Sequence, residues 1–222
     1  MICGVDEAGR GPVMGPLVVA GVAVNREDEK ILKQLGVKDS KRLTPHKREE
    51  LAEIIKERWP YHITVVPAHD IDLLRQEMTL NELEARVFAG VIDKLEGANH
   101  AYVDAADANE EGFAVQIRSQ LKRPIIITSR HKADDRYPVV GASSIIAKVE
   151  RDRLVGEIEK ELANKLDQPL GSGYPSDPVT ISFIESWLDR HGELPPHIRR
   201  SWKTATRLVE SRQRKTLDDF KE

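Results

Sequence analysis

Residues 2–24 read ICGVDEAGRGPVMGPLVVAGVAV. Two apolar runs flank a loop rich in glycine and proline. The first, 2–6, is strand-sized, and so is the second, 17–24, with nothing of helical length between them. Two adjacent acids, Asp6 and Glu7, follow directly on the apolar Ile2-Cys3-Gly4-Val5. A buried carboxylate needs a partner or it takes up a proton. This stretch supplies one cation, Arg10, so something else must offset the charge.

The same reading extends along the chain. Residues 61–66 (YHITVV), 101–103 (AYV) and 124–128 (PIIIT) read as further strands. A helix over 45–58 follows Thr44, a good N-cap, with Pro45 in the first helical position. A second, over 79–95, carries Leu80, Leu83, Val87, Val91 and Leu95 at helical spacing, and Thr79-Leu80-Asn81-Glu82 fits a capping box. A third spans 143 to about 162. GSGYPSDP at 171–178 reads as a loop, followed by helices near 179–191 and 202–212. Two strands with no helix between them, then strands alternating with helices, predict a mixed sheet flanked by helices. The expected organisation is a three-layer α/β core over 1–170 and a helical C-terminal region over 171–222.

Composition narrows the function classes. The chain has 222 residues, 40% of them hydrophobic. It holds no apolar run near the roughly 18–20 residues that span a bilayer. Its start lacks the basic and apolar regions of a signal peptide, and its single cysteine, Cys3, excludes an intrachain disulfide or a cysteine-based zinc site. A cytoplasmic protein is expected. The net charge of −3 argues against a globally basic nucleic-acid binder. Yet residues 199–215 hold seven basic side chains (Arg199, Arg200, Lys203, Arg207, Arg212, Arg214, Lys215) against one acid, Glu210. Such a run is either a phosphate footprint or a solvated helix face.

Four of the 37 acids stand out by position. Asp6 and Glu7 end the first strand, Asp104 ends the fourth in AYVDAAD, and Asp134 precedes the long helix in HKADDRYP. Ligand sites in open α/β sheets cluster at the carboxyl ends of strands. An acid at a strand end can also be a turn former. Consecutive strand side chains point to opposite faces, so Asp6 and Glu7 could share a pocket only if the pleat breaks, and Ala8-Gly9 would permit that. Clustered carboxylates raise one another's pKa. A divalent cation relieves this, and an all-oxygen set suits Mg²⁺ or Mn²⁺ rather than Zn²⁺. Two such ions about 3.5–4 Å apart can clamp a phosphodiester.

These residues carry a family pattern. GVDEAGRGPVMGPLVVAGV at 4–22, DSKRLTP at 39–45, TLNELE at 79–84, YVDAAD at 102–107, HKADDRYPVVGASSIIAKVERDR at 131–153, GSGYPSDP at 171–178 and HGELPPHIRRSWKT at 191–204 occur in order. Together they resemble the ribonuclease HII family, in its archaeal and eukaryotic-like branch, over nearly the whole chain. The resemblance implies an RNase H-like fold, hydrolysis of RNA in RNA/DNA hybrids, and incision 5′ of single ribonucleotides in duplex DNA, leaving 5′-phosphate and 3′-hydroxyl ends. It implies that Asp6, Glu7, Asp104 and Asp134 bind two metal ions. Asp134 is preferred to Asp135 because the family aspartate lies four residues before the proline, here Pro138; Asp107 is a lesser rival to Asp104. The resemblance also implies that Gly9, Arg10 and Gly11 sense a ribose 2′-hydroxyl, that Tyr174 stacks on the neighbouring deoxyribose, and that Ser40 and Lys41 contact phosphate. Lys132, beside the acidic loop, is a further phosphate candidate; His131 reads as structural.

The chain ends QRKTLDDFKE. Leu217 and Phe220 are spaced as in peptides that dock on the sliding clamp PCNA, although Lys221 stands where a second aromatic is usual and Arg214 where glutamine is. Otherwise a monomer is expected. Two other functions stay open at this stage. One is a non-catalytic hybrid-binding module associated with the clamp, against which four retained acids argue. The other is an exonuclease of the same fold class, against which the adjacent Asp-Glu pair argues.

Overall fold

The computed structural model describes residues 1–37 and 43–219, with side chains through residue 214. Among these residues there are five strands: β1 (Ile2–Ala8), β2 (Leu17–Val24), β3 (Tyr61–Val66), β4 (His100–Asp104) and β5 (Ile126–Arg130). The α-helices are α1 (Glu29–Leu35), α2 (Pro45–Arg58), α3 (Ala68–Leu74), α4 (Leu80–Lys94), α5 (Glu110–Gln120), α6 (Ala133–Arg136), α7 (Pro138–Ala163), α8 (Pro178–His191) and α9 (Lys203–Asp219). No described helix is long and apolar enough to cross a membrane.

The sheet order is β3-β2-β1-β4-β5. β1 pairs antiparallel with β2 and parallel with β4, and β4 pairs parallel with β5. The sheet is therefore mixed, and β1 lies at its centre. Central strands covered on both faces read as continuous apolar runs, and β2 is buried at every position.

Two glycines set how closely helices approach the two faces. A Cβ on Gly4 would lie 2.4 Å from the Val139 carbonyl carbon and oxygen, so the first turn of α7 rests on the backbone of β1. A Cβ on Gly21 would lie 2.6 Å from a Val91 methyl and 2.8 Å from a Leu95 methyl. Gly21 pairs with Val5, one residue out of step with Gly4, so α4 covers the opposite face. The layers are thus α4, sheet and α7. The capping box that starts α4 is formed: Glu82 accepts from the Thr79 N–H at 2.7 Å, and Thr79 accepts from the Glu82 N–H at 3.3 Å.

Packing divides the chain into two compact units. The first comprises Met1–Ala8, Val18–Val65 and Met78–Arg151, and holds most of the sheet. The second comprises Gly9–Leu17, Val66–Glu77 and Asp152–Glu222. Its core gathers Met14, Leu162, Phe183, Ile184, Trp187 and Leu208.

Several boundaries differ from the sequence expectation. α7 begins at Pro138 rather than near residue 143. Residues 138–143 are all buried, so this part of the helix shows no amphipathic period to read. β1 runs to Ala8 rather than ending at Asp6, β4 ends at Asp104 as expected, and β5 is shifted to Ile126–Arg130 from the expected 124–128. The segment read as a loop around Asp134 contains the short helix α6. Helices α1, α3 and α5 had no sequence counterpart.

Glycine substitutions test this packing. Gly4→Ala is expected to destabilise the protein by about 3 kcal/mol, because the added methyl meets backbone that cannot turn aside. Gly90→Ala, on α4 where nothing lies within 4 Å of the new Cβ, is expected to stabilise it by about 0.5–1 kcal/mol. Urea midpoints at unchanged m-value read both effects.

Candidate active site

The parallel register of β1 and β4 ends at Val5 opposite Val103. Asp6 and Asp104 are the next residues on each strand, so two carboxylates meet at the carboxyl end of neighbouring central strands. Asp6 is only 4% exposed. Its position in register with Gly4 places it on the α7 face, and there Ser144 of α7 hydrogen-bonds its carboxylate. The Glu7 N–H also donates to Asp6 Oδ1 at 2.8 Å. Burial, then the charge of Glu7, then the charge of Asp104 hold the Asp6 carboxyl well above the usual carboxylate range, against the lowering effect of these two hydrogen bonds.

Asp104 is fixed from the β5–α6 turn. Its Oδ1 accepts from the Ala133 N–H at 2.7 Å. That N–H is aimed by Lys132, a non-glycine residue in the left-handed region at φ 55° and ψ 43°. Such backbone persists only where the surroundings hold it. The preceding residue is anchored too, since the His131 N–H donates to Glu110 Oε1 at 2.7 Å. Asp134 follows Ala133 and is 2% exposed, whereas Asp135 faces solvent. Asp107 is engaged elsewhere: it accepts from the Asn81 side chain and from the Asn109 N–H at 2.9 Å, as a turn former does.

The expected break in the pleat between Asp6 and Glu7 is absent. The β1–β2 ladder continues without a bulge through Asp6↔Ala20, Glu7↔Val19 and Ala8↔Val18. Glu7 therefore starts from the other side of the β1 backbone, and its side chain still ends close enough to Asp6 for its charge to raise that carboxyl. The chain turns only at Gly9, whose φ of 90° is open to glycine. Among the described residues no group of three or more His, Cys, Asp or Glu side chains is arranged to hold a metal ion. The chemistry of the donor set nonetheless fits a hard divalent cation: a buried carboxylate is raised by two neighbouring anions, and all the donors are oxygen.

The second unit collects the other sequence-selected residues. Gly11 is exposed, and a Cβ there would lie 3.7 Å from the Tyr174 ring. The two loops are joined through backbone: the Val13 and Met14 N–H groups donate to the Gly173 carbonyl at 2.9 and 3.2 Å. Tyr174 keeps 37% of its surface exposed. Lys132 is exposed, and the His131 ring lies against the segment before α5, with Nε2 3.3 Å from the Ala108 carbonyl. Ser40, Lys41 and Phe220 lie outside the described residues, as does the side chain of Leu217. Two residues escaped the sequence reading. Ser144 stood within a quoted motif but had no assigned role. Arg199 was counted in a basic surface run, but it is completely buried.

Comparison with known proteins gives this geometry a context. The family described as Ribonuclease HII matches residues 3–205. A ribonuclease HII from Methanocella arvoryzae is 45% identical over 209 residues, covering 94% of this chain and 91% of that protein. The crystal structure of the ribonuclease H2 from Pyrococcus horikoshii OT3 superposes with a TM-score of 0.86 at 39% identity, covering 95% of this chain and 97% of the other. The structure of the PCNA:RNase HII complex from Archaeoglobus fulgidus gives a TM-score of 0.83 at 39% identity, covering 91% of this chain and 95% of the other.

The raised Asp6 carboxyl predicts a pH-dependent stability. Between the ordinary aspartate pKa and the raised folded value, the native state binds more protons than the unfolded chain, so metal-free stability falls as pH rises through that window. Asp6→Asn is expected to melt higher than the wild type at pH 7 in a chelator, with the difference shrinking toward pH 4. Mg²⁺ is expected to raise the wild-type melting temperature more than that of Asp6→Asn. Thermal melts across pH, with and without metal, check both expectations.

Proposed function

The chain belongs to the ribonuclease HII family and is a ribonuclease H, and on that premise we propose that it hydrolyses the RNA strand of RNA/DNA hybrids and incises 5′ of single ribonucleotides in duplex DNA. Its fold, a mixed five-stranded sheet flanked by helices, is RNase H-like. The observation that carries the reading is the buried Asp6 carboxylate, raised by Glu7 and Asp104 at the end of the central strands. Asp6, Glu7, Asp104 and Asp134 would hold the divalent cations, two Mg²⁺ or Mn²⁺ in the active state. Bound there, the cations would supply activation of the attacking water and stabilisation of the leaving oxygen, the chemistry that leaves 5′-phosphate and 3′-hydroxyl ends.

The chain's own residues orient these groups. Ser144 and the Glu7 N–H hold the Asp6 carboxylate in one rotamer. The Ala133 N–H does the same for Asp104. Gly9, Arg10 and Gly11 bring backbone to the ribose, where one 2′-hydroxyl separates RNA from DNA. Tyr174, exposed beside Gly11, offers a ring face to the adjacent sugar. Ser40, Lys41 and Lys132 contact phosphate. We place the protein in the cytoplasm as a monomer. The tail with Leu217 and Phe220 docks on the sliding clamp, a reading supported by the solved complex of the Archaeoglobus relative with PCNA.

Two experiments test this. Asp104→Asn is expected to reduce nicking of a closed circular duplex bearing one ribonucleotide by more than the roughly 10–100-fold typical of residues one shell outside a metal. Wild-type nicking rates in the variant would remove the site assignment, and failure of the wild type to nick the circle would remove the endonuclease reading. Deleting the last ten residues is expected to abolish clamp pull-down and leave cleavage intact; retained clamp binding would refute the docking role of the tail.

A further inference from the structure

The loop over residues 9–15 is gripped by its carbonyls. Arg199 is fully buried, and its guanidinium donates from Nε to the Gly15 carbonyl at 3.0 Å, from Nη1 to Arg10 at 2.9 Å and from Nη2 to Gly9 at 2.5 Å. The Arg199 backbone N–H donates to Val13 at 2.8 Å. Trp202 Nε1–H donates to the Gly11 carbonyl at 3.3 Å. Arg199 and Trp202 together thus engage the carbonyls of residues 9, 10, 11, 13 and 15.

The gripping residues are themselves held. Trp202 packs against two guanidinium groups, with Arg199 Cζ 4.8 Å and Arg75 Cζ 5.2 Å from its ring centroid. Both are at cation–π distance from the ring. Asp72 of α3 accepts from the Arg200 and Ser201 N–H groups at 2.7 and 3.0 Å, and from the Ser201 hydroxyl at 2.6 Å.

Peptide geometry turns this grip into an aim. No cis peptide occurs among the described residues. In a trans peptide the C=O of one residue and the N–H of the next lie in one plane and point in opposite directions. Fixing the Gly9 and Arg10 carbonyls on the Arg199 side therefore directs the Arg10 and Gly11 N–H groups to the other side. A planar guanidinium with donors in a rigid fork can hold several carbonyls in set directions, which a lysine point charge cannot.

We propose that Arg199 is a positioning residue that sets the ribose selectivity of the Gly9–Gly11 loop by fixing the peptide planes that carry the Arg10 and Gly11 N–H groups, and that Trp202 supports it by holding the Gly11 carbonyl, whose peptide ends in Pro12 and carries no N–H of its own. The inference rests on the functional reading above and extends it to residues that do not touch the sugar.

The test measures binding by the full-length protein in an Asp104→Asn background with Mg²⁺. The two ligands are a DNA duplex with one embedded ribonucleotide and the same duplex with deoxyribose throughout. Trp202→Phe keeps an aromatic ring beside the guanidiniums and removes the bond to the Gly11 carbonyl, which releases the backbone that follows the Gly11 N–H. It is expected to lower the ribo/deoxy affinity ratio about 3- to 10-fold, the scale of one lost hydrogen bond, with all-DNA affinity and melting temperature unchanged. Arg199→Lys is expected to lower the ratio further; should it fail to fold, Trp202→Phe decides. An unchanged ratio in Trp202→Phe overturns the proposal. So does a parallel fall of both affinities with the melting temperature, which is what a merely structural role produces. A parent protein with no ribose preference, coupled with a wild type that does not nick the circular substrate, overturns the functional reading and this inference with it.

Discussion

The Asp6 carboxylate sits at the end of the central strand, buried, with the charges of Glu7 and Asp104 raising its pKa. A group so placed is costly to ionise unless positive charge or hydrogen bonds meet it. Much of the first unit is arranged around that demand. Ser144 can reach Asp6 only because α7 approaches the sheet closely, and α7 approaches closely because residue 4 has no side chain. The Ser143 hydroxyl, next along the helix, donates to the Gly4 carbonyl at 2.8 Å and ties helix to strand at that same point. The strained Lys132 serves the same end on the other side, aiming one N–H at Asp104. The protein orients these acids with hydrogen bonds, and in the proposed function a divalent cation offsets their charge.

How much of this could be read from the sequence depended on the kind of signal. Elements fixed by local chemistry were legible: Thr44 and Pro45 start α2, the Thr79–Glu82 box starts α4, and β2 and β3 have the expected bounds. Elements fixed by tertiary burial were not. The start of α7 is buried all round and carries no period, and α3 and α6 are too short to show one.

The candidate site shows the same split. The acids were visible because they fell at strand ends and within an ordered set of motifs. Their geometry was not, since the pleat was expected to break between Asp6 and Glu7 and the ladder instead stays regular to Ala8. Arg199 was hidden for a different reason. A basic residue among six others reads as solvated surface, and only tertiary structure shows that its partners are carbonyls 184 to 190 residues away along the chain. Surface pairs such as Lys47–Glu50 and Arg153–Glu157 are what that charge-rich composition otherwise supplies, and exposed pairs of this kind contribute little to stability.

The functional reading also explains why this loop is made of glycine and backbone rather than side chains. A 2′-hydroxyl is a single small group on a sugar shared by every nucleotide, so a base-specific side chain would narrow the substrate range. Peptide N–H and C=O groups are indifferent to base identity but directional. Direction then has to come from what holds the peptide planes, and Arg199 and Trp202 hold them from the carbonyl side. One residue, Ala8, separates the last carboxylate of β1 from the first glycine of the loop. The strand ends at Ala8, and Gly9 takes a positive φ immediately afterwards. The acids proposed for hydrolysis and the loop proposed to recognise ribose therefore belong to one continuous stretch of chain, with a single residue between them.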